Sequence, residues 1–291
     1  MMNKLIWILG KTGQLANCFA DSLKEETTAN VRFFGRNEID FESDLFEQLS
    51  ELNEIPDVII NTVAYTAVDK AESEEELAQR VNAEAVSELS DFCSLNDVVL
   101  IHFSTDYVFN GEKNAPYTED DECNPLGVYG RSKREGELAV LECETGIVIR
   151  LSWLYSNYGK NFYLTMKNAM ASDSTRELRV VNDQVGCPTN ASDVANSVST
   201  YIINCLNEKT EWTFGLFHFT GNEVVSWYDF AVRIKNEYGF SNSILPIATS
   251  DYPTAAQRPA YSVLGSVRKL FLVREDKKGE EKGRFFCVKR R

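Results

Sequence analysis

The strongest constraint on this chain is the spacing of its short apolar runs. Residues 5–9 (Leu-Ile-Trp-Ile-Leu) stop abruptly at Gly10, and comparable runs recur at 31–34, 57–61, 98–103 and 147–151. A short apolar run bounded by turn residues reads as a buried strand. Between the runs lie helix-patterned stretches at 14–24, at 71–95 (long, acidic and Ala-rich), and from Tyr129 to near Gly146. Ser43 is expected to cap a further helix. Strands that alternate with helices predict a doubly wound, mostly parallel sheet. In such a sheet ligands bind at the carboxyl ends of the strands, and Gly10, Asn61, Ser104 and Ser152 are expected there. After Ser152 the alternation weakens. Helices are expected at 162–170, 192–206 and 226–237, within aromatic and polar segments.

Gly10-Lys11-Thr12-Gly13-Gln14-Leu15-Ala16 falls between the first strand and the first helix. Glycine at this turn lets backbone approach a pyrophosphate, and the helix amino terminus supplies unpaired N–H groups and positive dipole. Ala16 holds the third small position, where helix and strand pack closely. The spacing is GxxGxxA rather than GxGxxG. Gly10-Lys11-Thr12 also imitates the end of a nucleoside-triphosphate loop, but that loop needs a glycine where Leu5 stands. The predicted fold class is therefore α/β: a Rossmann-type doubly wound parallel sheet with a smaller, partly interleaved carboxyl-terminal substrate domain. Residues 1–155 are expected to bind the dinucleotide, with segments near 180–220 returning to that domain. Residues 156–270 are expected mainly to bind substrate. Residues 271–291 form a basic, Gly-broken tail, expected to be mostly disordered.

Composition narrows the partners. A formal charge of −14 argues against nucleic acid. No apolar stretch approaches the ~20 residues that span a bilayer. Residues 1–9 lack the length and cleavage site of a signal peptide. Seven cysteines, odd in number and without a CxxC, suit reduced thiols in the cytoplasm. His102 and His218, the two histidines, sit in apolar strand-like runs and read as structural. Without clustered ligands, no metal is expected.

Tyr129 and Lys133 are i and i+4 on the last of these helices, so they share a face. A free tyrosine titrates near pH ~10, and a nearby ammonium lowers that value. The pair is a plausible acid/base device for a carbonyl or hydroxyl. Thr105 at the end of the fourth strand is a third candidate. The second strand ends at Gly35-Arg36. An arginine there suits a 2′-phosphate and favours NADP(H) over NAD(H), against a plain solvated arginine in a turn.

Taken together, these residues resemble the dTDP-4-dehydrorhamnose reductases of the extended short-chain dehydrogenase/reductase superfamily. The resemblance runs from Leu5 to about Leu264. It is carried by the glycine turn and by Asn61-Thr62-Val63-Ala64-Tyr65-Thr66-Ala67-Val68-Asp69-Lys70-Ala71-Glu72, the most specific stretch. Ser104-Thr105-Asp106-Tyr107-Val108-Phe109, Arg150-Leu151-Ser152-Trp153, Asp183-Gln184-Val185-Gly186-Cys187-Pro188-Thr189 and Tyr252-Pro253-Thr254-Ala255-Ala256-Gln257-Arg258-Pro259 follow in order. The resemblance implies reduction of a nucleotide-linked 4-keto sugar with NADPH, or NADH. It implies cofactor contacts at Gly10, Lys11, Thr12, Gly13, Gln14, Leu15, Arg36, Asp40, Phe41, Ala64, Tyr65, Thr66, Tyr129 and Lys133. Tyr129 would donate a proton, Lys133 would lower the Tyr129 pKa and hold the nicotinamide ribose, and Thr105 would orient the carbonyl. Thr105, Asp106, Trp153 and Arg258 would meet the substrate. Outside the resemblance, Trp153 reads as a core aromatic and Arg258 as a surface residue beside a proline turn.

Tyr107 after Asp106 departs from the Asp-Glu of the superfamily's dehydratases and favours simple reduction. Some family members hold Mg2+ between subunits, but the ligand position falls at Cys18, a poor partner for a hard cation. The expected state is a monomer or homodimer. Two alternatives stand: a silent NADP-binding subunit, like the regulatory subunit of methionine adenosyltransferase, and a reductase or epimerase of another nucleotide sugar. Retention of Thr105, Tyr129 and Lys133 together favours an enzyme.

Overall fold

A computed structural model describes residues 4–26 and 29–268. The basic tail at 271–291 lies outside the described residues. Five parallel strands, β1 (Leu5–Leu9), β2 (Asn30–Phe34), β3 (Val58–Asn61), β4 (Val99–Thr105) and β5 (Gly146–Leu151), build most of a six-stranded sheet. Its order is β10-β5-β4-β3-β1-β2, with β10 (Gly215–Phe219) at one edge. Strands β1, β3, β4 and β5 are buried along their whole length, as expected where helices cover both faces. Between β1 and β3 the strand order reverses, which opens a crevice at their carboxyl ends.

One face packs against α1 (Gln14–Glu26) and α8 (Ala191–Leu206), through Phe19, Val194 and Val198. The other packs against α2 (Leu45–Glu51), α5 (Ala85–Leu95) and α6 (Val128–Glu142), through Leu49, Leu89 and Val140. Asp44, rather than Ser43, caps α2: its carboxylate accepts the Glu47 N–H at 2.9 Å. A carboxylate there also meets the positive end of the helix dipole.

The single helix expected at 71–95 is instead a series. It comprises α3 (Val68–Ala71), α4 (Glu75–Gln79), a π-helical turn at Arg80–Glu84, and α5. Two side chains account for the breaks. Glu72, between α3 and α4, accepts the Val128 N–H at 2.9 Å, so α6 starts at Val128 and not at Tyr129. In the π turn Asn82 is fully buried, accepts the Tyr65 N–H at 2.8 Å, and donates to the Tyr65 carbonyl at 3.1 Å. The wider turn lets an amide reach the loop after β3, a frequent use of such turns at functional sites.

The chain leaves the sheet after β5 and returns for α8 and β10. A smaller layer forms from α7 (Phe162–Ser172), α9 (Trp227–Tyr238) and the parallel pair β7 (Leu178–Val181) and β12 (Ile244–Ile247). Tyr163, Met170, Val180, Phe230 and Ile234 make its core. Two-residue pairs join it to the sheet layer: β6 (Leu154–Tyr155) with β9 (Thr189–Asn190), and β8 (Val185–Gly186) with β11 (Val225–Ser226).

Candidate active site

A cavity of about 860 Å³ opens at the carboxyl ends of β1, β3, β4 and β5, between the sheet and the smaller layer. Its floor is the glycine turn. Gly10 has φ of +97°, and a Cβ there would lie 2.6 Å from Thr62 Oγ1. No other residue fits. Gly10 and Lys11 donate their N–H groups to the Phe34 carbonyl at 2.9 and 3.0 Å, which ties the turn to β2. Thr12 to Leu15 then line the cavity at the start of α1, whose first turn carries no acid. The amino end of α1 at residues 12–15, with its positive dipole, thus faces the cavity on a turn that only glycine at position 10 allows. It fits the pyrophosphate of a dinucleotide.

Ala64 and Thr66 also line the cavity. Gly10, Lys11, Arg36, Asp40, Phe41 and Tyr65 do not line the cavity. Phe41 is a core residue beside Trp7 and Phe34. Arg36 is exposed and bonded to Glu42, with Asp40 at 3.6 Å. Gln14 is tethered to the smaller layer: it donates to the Leu154 carbonyl at 3.3 Å and accepts from Asn161 at 2.6 Å.

Thr105, Asp106, Tyr129 and Lys133 all line the cavity. Thr105 is the last residue of β4 and caps the turn after it, accepting the Tyr107 N–H at 3.2 Å. The phenol of Tyr129 is pushed up to about 12 by desolvation, opposed by a Thr105 hydrogen bond and assisted by the Asp106 charge. Asp106 is itself pushed up to about 6 by burial, although Ser152 and Thr105 hydroxyls bond to it at 3.2 Å. Lys133 is 1% exposed. Its ammonium is desolvated and its pKa falls to about 8, with Glu137 one turn away drawing it back. Desolvation, rather than the Lys133 charge, dominates the Tyr129 pKa. Lys133 Nζ turns into the sheet, 2.7 Å from the Phe103 carbonyl and 3.0 Å from His102 Nε2. His102, read from sequence as merely structural, is thus a direct partner of a candidate catalytic residue.

Trp153 and Trp227 form the far wall. Their rings stack with centroids 3.4 Å apart and planes within 3°. Trp153 has φ of +46°, an unfavourable conformation for a bulky residue. Gly186 makes room for it, since a Cβ there would lie 2.4 Å from the indole. Sequence reasoning found Trp153 but missed Trp227; the signal was an aromatic directly after the capping Ser226. Arg258 also lines the cavity, but its guanidinium is already paired with Asp69 Oδ2 at 2.7 Å. That pairing holds the Asp69 carboxyl below its usual range. Lys160 and Arg179, not selected from sequence, add two exposed cations to the wall.

Among the described residues six cysteines are free thiols, and no group of His, Cys, Asp and Glu is arranged to hold a metal ion. No helix is long and apolar enough to cross a membrane, again among the described residues.

A family model described as the RmlD substrate binding domain matches residues 2–275. The chain belongs to this family. As an RmlD family member it is 39% identical over 264 residues to a dTDP-4-dehydrorhamnose reductase of Sinorhizobium fredii, covering 88% of this chain and 87% of that one. The crystal structure of a dTDP-4-dehydrorhamnose reductase from Clostridium acetobutylicum superposes with a TM-score of 0.81 at 37% identity, over 89% of each chain. That of the Bacillus anthracis dTDP-4-dehydrorhamnose reductase in complex with NADP gives 0.82 at 32% identity, over 90% of each. The Rossmann-type sheet of this chain is the fold of those proteins.

Proposed function

We propose that this chain reduces the C4 keto group of dTDP-4-dehydro-β-L-rhamnose to give dTDP-L-rhamnose, with NADPH as cofactor. The observation that carries the reading is that Thr105, Tyr129 and Lys133 line the same cavity as residues 12–15 of the glycine turn. Family membership and the relatives' named activity support the choice of sugar. The NADP bound by the Bacillus anthracis relative supports the choice of cofactor.

When bound, NADPH supplies the hydride. The protein's part is to bind, orient and protonate. Residues 12–15 and the amino end of α1 would hold the pyrophosphate, and Ala64 and Thr66 the opposite side. Arg36, Asp40 and Phe41 stand at the end of β2 and beyond, where the adenosine end would extend. Thr105 would hydrogen-bond the substrate carbonyl. Tyr129 would give its phenolic proton to the oxygen as negative charge develops there. Its raised pKa suits this direction, because the phenol is protonated at neutral pH. Trp153 and Trp227 offer an apolar face for the sugar. Lys160 and Arg179 offer charge to the nucleotide diphosphate. Arg258, paired with Asp69, would contribute by exchanging that partner. Residues 1–155 with the returning α8 and β10 would form the cofactor domain, and the smaller layer would close over the sugar. The same reading makes this a cytoplasmic enzyme, as monomer or homodimer.

The test is direct. Purified protein is mixed with NADPH and dTDP-4-dehydro-L-rhamnose, and nucleotide absorbance and product are followed. Loss of NADPH matched by dTDP-L-rhamnose is the expected result. Tight NADP(H) binding without turnover would instead favour a silent dinucleotide-binding subunit.

A further inference from the structure

His102 is a buried titratable group to which the proposed reaction gives no role. Both ring nitrogens are engaged. Nδ1 lies 3.0 Å from Asn61 Nδ2, and Nε2 lies 3.0 Å from Lys133 Nζ. The register explains the first contact, since Asn61 of β3 and His102 of β4 are paired across the sheet. The second arises because α6, which carries Lys133, packs over that face.

The Asn61 amide has one orientation consistent with its neighbours. Its Oδ1 accepts the Val63 N–H at 3.0 Å. Reversing the amide would set two donors face to face and orphan that N–H. Asn61 Nδ2 therefore donates to His102 Nδ1. A neutral imidazole that accepts at Nδ1 carries its proton on Nε2. That proton points at Lys133 Nζ. An ammonium has no lone pair to receive it. A neutral amine does, and it can still donate to the Phe103 carbonyl at 2.7 Å.

We propose that Val63, Asn61 and His102 form a hydrogen-bonded chain that holds Lys133 as a neutral amine in the unliganded protein. His102 is then a positioning residue that acts through Lys133. The proposal rests on the reductase reading only for the use to which Lys133 is put. Charging Lys133 would require Nε2 as an acceptor, the Asn61 amide reversed and the Val63 N–H released. Val63 lines the cavity, so the charge on Lys133 is coupled to the cavity wall.

The surrounding charges are accounted for. Glu137, one turn further along α6, favours an ammonium, but its carboxylate is bonded to Arg150 of β5 at 2.7 Å and to Arg134 at 2.8 Å. Asp106, after β4, acts on Tyr129. Burial dominates at Lys133 and lowers its pKa from 10.5 to about 8, and a donor at His102 Nε2 facing Nζ lowers it further, because it opposes a donor on the ammonium. Burial keeps His102 well below the usual histidine range and therefore neutral.

The experiment labels the lysines with 13C and 15N and follows the Lys133 Cε resonance with pH in the ligand-free protein. Lys133→Met assigns the signal. In the wild type Lys133 should titrate below pH ~7, binding its proton at least about two-thousandfold more weakly than surface lysines with a midpoint near ~10.4. Asn61→Asp places an acceptor opposite His102 Nδ1, which moves the imidazole proton there and frees Nε2 for an ammonium. His102→Gln offers Lys133 a carbonyl. Each should raise the Lys133 midpoint by at least about one unit, tenfold in proton affinity. Asn61→Asp is nearly isosteric, so the test survives if His102→Gln does not fold. A wild-type Lys133 that is still protonated at pH ~7 overturns the proposal. So does an unmoved midpoint in a folded variant. Turnover of the sugar nucleotide is measured on the same wild-type preparation. No turnover with a depressed Lys133 midpoint rejects the reductase and leaves the hydrogen-bonded chain standing.

Discussion

Tyr129 keeps its proton by environment. Its phenol, pushed up to about 12, is protonated throughout the neutral range and can lose its proton only to a stronger base, such as a developing alkoxide. Tyr129→Phe should therefore cut turnover by roughly 10²–10⁴, the usual contribution of a general acid, while NADPH binding changes little. Turnover and fluorescence titration of the nucleotide check both halves, and unimpaired turnover would exclude Tyr129 as the donor. Trp227→Ala should raise KM for the sugar nucleotide by roughly 2- to 13-fold, matching the ~0.5–1.5 kcal/mol of an aromatic pair, with NADPH affinity unchanged. A variant with unaltered KM would take Trp227 out of the sugar site. Tyr129, Lys133 and Thr105 were legible because their relation is local: one helical turn, and one strand end. The partners of Lys133 and Arg258 were not. His102 is 31 residues from Lys133, and Asp69 is 189 from Arg258, so only packing brings them together.

At the level of elements, the sheet and most helices follow from periodicity. The exceptions occur where a side chain from elsewhere sets a boundary. Helical spacing alone cannot distinguish a continuous helix at 71–95 from one interrupted by a π turn, because the residues on either side keep their pattern. The interruption is fixed by Asn82 reaching Tyr65, and the start of α6 by Glu72 reaching Val128. The π turn and α6 are also pressed together. A Cβ on Gly136 would lie 2.1 Å from the Asn82 carbonyl oxygen. That obstacle is backbone and cannot rotate away. Gly136→Ala should therefore lose about 1–3 kcal/mol of stability through overpacking, despite the better helix propensity of alanine. Urea unfolding measures it. A neutral or stabilising result would mean that α6 can move away from the π turn without cost.

Across the whole molecule, the fold class was readable from alternation, whereas the fastening of the final segment to the sheet was not. That fastening joins groups far apart in sequence. Glu137 on α6 holds Arg150 on β5. Arg150 Nη1 lies 3.3 Å from His218 Nε2 on β10, and His218 Nδ1 lies 2.7 Å from the Gly265 carbonyl. Glu119 accepts from the His218 N–H at 3.0 Å and the Val267 N–H at 3.0 Å. Since Nδ1 must donate to a carbonyl and Nε2 must accept from a guanidinium, His218 is neutral here. Burial lowers its pKa from 6.5 to about 4. Burial works against Glu137 as a carboxylate, but the Arg150 hydrogen bonds prevail and hold its pKa below 4.5. Both shifts have the same sign for stability. Between 6.5 and about 4 the unfolded chain binds a proton at His218 that the folded one refuses, so stability is full above 6.5 and falls as pH drops. The Glu137 contribution is present above 4.5 and is lost on further acidification, through its lower folded value. Asp106 opposes them, because its raised value adds stability below 3.8 that is lost as pH rises towards 6. Glu137→Gln should cost about 3–5 kcal/mol at neutral pH, since it leaves Arg150 buried without its counter-charge. His218→Gln removes the titrating ring while keeping an amide that can donate and accept. Its urea midpoint should depend less steeply on pH than the wild type's as the solution is acidified. An equally steep dependence would mean that the acid-sensitive protons are taken up away from the β5–β10 edge, and that this buried network does not govern unfolding.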